Sequence, residues 1–129
     1  MAYRREESLL HKKSYAYAIR VVKMVRFLQD EKKERVLSKQ VLRSGTAVGA
    51  LVRESEFAQS AADFINKLKI ALKEANETDY WLSLLHDTRY MDDDAFNSME
   101  ADCKELIALL VSSINTLNKK EGSAVANCL

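Results

Sequence analysis

A chain of 129 residues and 14.7 kDa is the size of one domain, large enough to bury a core without disulfide or metal staples. Its residues are 47% hydrophobic and 30% charged, with three glycines and no proline, which poorly supplies turn-rich β-architectures and leaves long helices unobstructed. A net charge of +1 gives no overall pull toward polyanions.

That near-neutrality hides a split. Residues 1–43 carry 12 Lys or Arg against 5 Asp or Glu, while the rest of the chain carries 8 against 14. Residues 87–105 alone hold seven acids against Arg89 and Lys104. A basic end and an acidic end suit either a local polyanion footprint or head-to-tail self-association. The opening MAYRREESLLHKKSYA is charged throughout and lacks the apolar run of a secretory signal. The longest apolar runs, 47–52 and 106–111, fall far short of the roughly 20 residues that span a bilayer. A cytoplasmic protein is expected. Cys103 and Cys128 are distant, with no CxxC and no clustered histidines, so neither a zinc site nor a disulfide framework is expected; Cys103 falls on an apolar stripe as a small core residue.

Residues 1–13 read as a basic N-terminal extension. The first helix spans about residues 14–34, with Ala18, Val21, Val25 and Leu28 on its core face. Its opposite side carries Lys12, Lys13, Arg20, Lys23 and Arg26, interleaved with Ile19 and Phe27. That side is a solvated face, an oligomer contact through Ile19 and Phe27, or a polyanion-facing stripe. A short charged link follows, and Ser38 is the expected N-cap of a second helix over about 38–58. Short links favour antiparallel neighbours. Ser60-Ala61-Ala62-Asp63 is a capping-box variant that starts a third helix over about 61–87, where Phe64, Leu68, Ala71, Ala75, Leu82 and Leu85 recur at spacings of 3, 4 and 7. HDTRYMDDD breaks the pattern, and Asp92 or Asp93 is expected to cap a fourth helix over about 93–118. Its stripe of Phe96, Met99, Cys103, Leu106, Leu110, Ile114 and Leu117 closes the bundle, and residues 119–129 read as a flexible tail. The expected fold is all-α: a single-domain, up-and-down antiparallel four-helix bundle.

Gly45 and Gly49, in VLRSGTAVGA, cost about 1 kcal/mol each against alanine inside a helix. They do not form a phosphate loop, because no strand precedes them and no Gly-Lys-Ser/Thr follows. They share a face with Val41, Leu42, Val48 and Val52, which makes a notch for another helix. The other side of this helix gathers Arg43, Ala47, Ala50, Leu51 and Glu54, and a helix with two packable faces is usually enclosed. Arg43 and Glu54 stand roughly 16 Å apart along the axis, so each needs a partner elsewhere. The third helix offers Glu74, Glu77 and Trp81 on one side. Structural pairing with an arginine is the expected role of the two glutamates; the Glu-x-x-His pattern of carboxylate-bridged metal bundles is absent. His11 and His86 are isolated, the aspartate triplet lacks the spacing of a calcium loop, and no catalytic constellation, metal site or cofactor site emerges.

The stretch LRSGTAVGALVRES followed by DFINKLKIALKEANETDYWLSLL resembles the small four-helix-bundle proteins encoded in intervening sequences of bacterial 23S rRNA genes, a family that includes the accessory variability protein of diversity-generating retroelements. The likeness covers roughly residues 14–119, and Arg43, Ser44, Thr46, Gly49, Glu54, Glu74, Glu77, Thr78, Tyr80 and Trp81 match its signature positions. The resemblance implies a bundle that assembles as a cyclic homopentamer, without known enzymatic activity, in association with nucleic acid. Ala47 and Leu51 replace the more usual Ser and Asn, and the chain is nearly neutral, which sets it apart from the strongly basic retroelement branch and nearer the intervening-sequence branch. The expected function is therefore a non-enzymatic, ring-forming protein that meets RNA or a ribonucleoprotein through the basic face of the first helix. The alternative is a homo-oligomeric interaction scaffold with no nucleic-acid role.

Overall fold

The computed structural model describes residues 8–128, with side chains described through Lys120. Four helices follow one another: α1 (Leu9–Asp30), α2 (Leu37–Ser55), α3 (Ala61–Asp87) and α4 (Asp93–Cys128). Each packs against its neighbours in sequence, and α1 meets α4 to close an up-and-down bundle.

The boundaries show what starts and stops each helix. Helix α1 begins at Leu9, within the residues expected as an extension, because the Ser8 hydroxyl accepts the His11 backbone N–H at 3.2 Å. It stops at Asp30 rather than near Glu34, and Lys33 takes a left-handed φ of 58° in the link. Ser38 is not the N-cap of α2. That work falls to Glu34, whose Oε1 accepts from Ser38 N at 2.7 Å and whose Oε2 accepts from Leu37 N at 3.1 Å and Val36 N at 3.3 Å. Burial of Glu34 opposes ionisation, but these three N–H bonds hold its carboxyl below the usual range. Helix α2 ends at Ser55, three residues before its expected limit, in a turn of i→i+3 bonds. Ser60 caps α3 through Asp63 N, and Asp92 Oδ1 accepts from Ala95 N to cap α4. Helix α4 does not stop near Asn118. It runs to Cys128, since one glycine at 122 costs only about 1 kcal/mol and no proline intervenes. The N-terminal residues 1–7, Leu129 and the Cys128 side chain, on which sequence expectations also fell, lie outside the described set.

The core is one cluster fed by all four helices, with Val21 and Leu28 from α1, Val41 and Val48 from α2, Leu82 and Leu85 from α3, and Leu106 and Leu110 from α4 all essentially sealed. Tyr17 rather than Ala18 joins it, because its hydroxyl reaches across to donate to the Met99 carbonyl at 3.0 Å. Helices α1 and α2 approach to near backbone contact. A Cβ on Gly45 would lie 2.9 Å from Val21 Cγ2, and one on Gly49 would lie 3.2 Å from the Ser14 carbonyl oxygen.

Two outcomes test these contacts. Gly49→Leu should lose about 2–3 kcal/mol in urea unfolding, because backbone cannot retreat as a side-chain tip can. Glu34→Gln should lose about 1–2 kcal/mol near neutral pH. Since the Glu34 carboxyl titrates lower in the folded chain than in the unfolded one, its stabilisation exists above the ordinary glutamate range and vanishes in acid, so the two proteins' stabilities should converge there.

Candidate functional site

The third helix presents Glu74 and Glu77 one turn apart, and the second places Arg43 opposite them. Arg43 Nη1 donates to Glu74 Oε2 at 2.8 Å and Nη2 donates to Glu77 Oε2. The Trp81 indole N–H donates to the same Glu77 oxygen at 3.0 Å. That indole bond, opposed by burial and reinforced by Arg43, holds the Glu77 carboxyl below its usual value; the Glu77 and Glu74 bonds raise Arg43 above its own. One row inward, Thr78 Oγ1 lies 2.9 Å from Ser44 Oγ and 2.9 Å from the Glu74 carbonyl, a buried polar stitch between α2 and α3. Arg43 itself stays half-exposed, so the two glutamates share one guanidinium that still faces solvent. Among the described residues no group of three or more His, Cys, Asp or Glu is placed to hold a metal ion.

Glu54 has its own α3 partner, Lys67 Nζ at 3.6 Å, an exposed pair of small energetic weight. Between Arg43 and Glu54 the outer face of α2 is low: Ala47 is half-buried and Ala50 exposed. Aromatic and aliphatic side chains rise beside it and at its Arg43 end. On the α1 flank stand Tyr15 and Ile19, one turn apart and 58% and 41% exposed, with the Arg53 guanidinium of α2 over the Tyr15 ring at 5.6 Å. Past the Arg43 end of that face stand Trp81 and the exposed Tyr80 of α3, packed edge to face with ring centroids 5.0 Å apart. Tyr15 and Arg53 were missed in the sequence. Placing the start of α1 at residue 14 left Tyr15 in a fraying first turn, although its four-residue spacing from Ile19 was legible.

Ile19 and Phe27, the oligomer contact expected on sequence grounds, both stand exposed on α1. Phe27 lines a concavity of about 610 Å³ beside the α3–α4 link, with Lys32 Nζ 5.9 Å above its ring. There His86 Nε2 lies 2.7 Å from Asp93 Oδ1 and its ring stacks on Phe96, so it is a joint between α3 and α4; the Asp93 bond is the main reason its pKa is raised.

The basic stripe of α1 is divided. Lys13 Nζ donates to Glu105 Oε1 at 2.8 Å, and Arg20 donates to Asp102 and, at 2.7 Å, to Ser98 Oγ. These two cations stitch α1 to α4 within the chain. Lys12, Lys23 and Arg26 remain exposed on the outer side. His11, isolated in sequence, is largely buried with Nε2 3.0 Å from Glu56 Oε1. Among the described residues no helix is long and apolar enough to cross a membrane.

Comparison with known proteins places this geometry. A crystal structure at 1.70 Å resolution of a protein of unknown function from the S23 ribosomal protein family, from Bacteroides thetaiotaomicron VPI-5482, superimposes with a TM-score of 0.81 at 54% identity, over 82% of this chain and 98% of that one. No curated protein matches the chain. The family model described as 23S rRNA-intervening sequence protein matches residues 6–112. The chain belongs to the 23S rRNA-intervening sequence protein family.

Proposed function

We propose that this is a non-enzymatic, self-assembling helical-bundle protein whose copies meet through the outer face of α2 and its flanks, closing into a ring that the family resemblance makes a pentamer. The observation that carries this reading is the shape and chemistry of that face. A low strip of Ala47 and Ala50 has Tyr15 and Ile19 of α1 beside it and ends at the half-exposed Arg43, past which stand Tyr80 and Trp81 of α3. Aromatic rings and arginine are the residues on which interfaces concentrate their energy, and small residues between them let a neighbour's helix come close. Covering an exposed aliphatic or aromatic side chain is worth on the order of 1.5–3 kcal/mol at full burial. Light scattering at micromolar concentration should give a mass several times 14.7 kDa, and Ala50→Arg combined with Ile19→Glu should return it to that value. A wild-type protein that is monomeric under these conditions excludes the reading.

An association with RNA or a ribonucleoprotein is the second reading. Its support is the exposed trio Lys12, Lys23 and Arg26, together with the family's and the neighbour's names, which point to ribosomal RNA and a ribosomal protein family. Lys13 and Arg20 contribute less, since α4 already neutralises them. Gel-shift titrations with structured RNA should show affinity that falls with salt at a logarithmic slope of about −2, the value for roughly three phosphate contacts. Glu substitutions at Lys12, Lys23 and Arg26 should abolish it, whereas Lys13→Gln should not. Binding no stronger than that of an acidic control protein removes this reading.

A further inference from the structure

The seam between α3 and α4 holds an acid with no donor. Asp79 projects from α3, and its Oδ1 is fully buried without a hydrogen-bond partner. The donors of the bundle core nearest this seam are not bonded to it. From α1, the Tyr17 hydroxyl donates to the Met99 carbonyl at 3.0 Å. From α4, the Cys103 thiol donates to the Ala75 carbonyl at 3.2 Å, and the Lys104 ammonium stands 3.6 Å from Glu100 on its own helix. The group that meets Asp79 is the Glu100 carboxyl, which when ionised is an acceptor only.

Two ionised carboxylates in contact repel, and a buried acceptor without a donor is costly. A single proton between them removes both penalties. We propose that the α3–α4 seam is a proton-binding site, in which one proton held between the Asp79 and Glu100 carboxyls supplies the donor that the buried Asp79 Oδ1 otherwise lacks, and that releasing it loosens α4 from α3.

Burial first, then the Glu100 bond and charge, push the Asp79 carboxyl upward, with Lys104 opposing. Neither neutral neighbour titrates in the same range: burial pushes the Cys103 thiol up to about 12 and drives Tyr17 higher still. A carboxyl whose folded pKa is raised contributes stability that is present in acid and lost as pH rises through that folded value. The seam therefore tightens as pH falls, the reverse of what an ion-paired carboxylate does.

Asp79→Asn replaces the shared proton with an amide that donates to Glu100 permanently. Melting temperatures of the full chain and this variant, measured side by side from about pH 4.5 to about pH 8.5, should diverge, with the wild type falling by about 3 °C or more relative to the variant as pH rises. The response of His86 is common to both proteins and cancels. Infrared spectra should also show a protonated-carboxyl stretch that persists in the wild type where free carboxyls are ionised and is missing from the variant. Parallel melting curves, or no such band, overturn the proposal. If Asp79→Asn does not fold, Glu100→Gln removes the same proton from the other side and is read against the same two outcomes.

Discussion

The close approach of α1 to α2 governs the rest of the bundle. Without side chains at Gly45 and Gly49, the second helix settles onto Val21 and the backbone of Ser14, and that seating fixes its rotation about its own axis. Once the notch faces α1, Ser44 must face Thr78 of α3, Arg43 must reach outward over Glu74 and Glu77, and Ala50 must point to solvent. Position in the 3.6-residue cycle thus links a packing device on one side of α2 to the chemistry of its opposite side. The two helical glycines are offset by contact along a whole helix pair rather than by any ligand.

The charge distribution is used in a similar way. A basic first helix and an acidic fourth helix invited an intermolecular explanation, yet Lys13 and Arg20 satisfy Glu105 and Asp102 of the same chain. On α1 the bundle leaves Lys12, Lys23 and Arg26 exposed, and on α2 the guanidinium of Arg43 stays half-exposed. Part of the charge split along the chain is therefore matched internally across the α1–α4 seam.

The fold was legible because each helix carries a long apolar stripe at helical spacing and no proline interrupts it. Helix ends were less legible, since they turn on single hydrogen bonds. Ser38 has the right residue type for an N-cap, but Glu34, four positions earlier, satisfies three backbone N–H groups at once and outcompetes it. The pairing of Arg43 with Glu74 and Glu77 could be anticipated from residue types and faces alone. The seating of Phe27 beside the α3–α4 link could not, because a helical wheel shows which residues point outward but not which neighbouring helix lies beside each. Nor does any pattern announce Asp79: its donor shortage depends on where Tyr17 and Cys103 spend their hydrogen bonds, which only the packed seam determines.

The polar seam between α1 and α4 carries a consequence for how the chain folds. Its bonds join residues 78, 82 and 92 positions apart, whereas the contacts of α1 with α2, α2 with α3 and α3 with α4 form between consecutive helices. Loop-closure entropy grows with separation, so this seam gains least until the three hairpins are in place. The bundle is thus wired mainly between consecutive helices, and the α1–α4 seam, part of it ion-paired, is the long-range closure that salt can weaken.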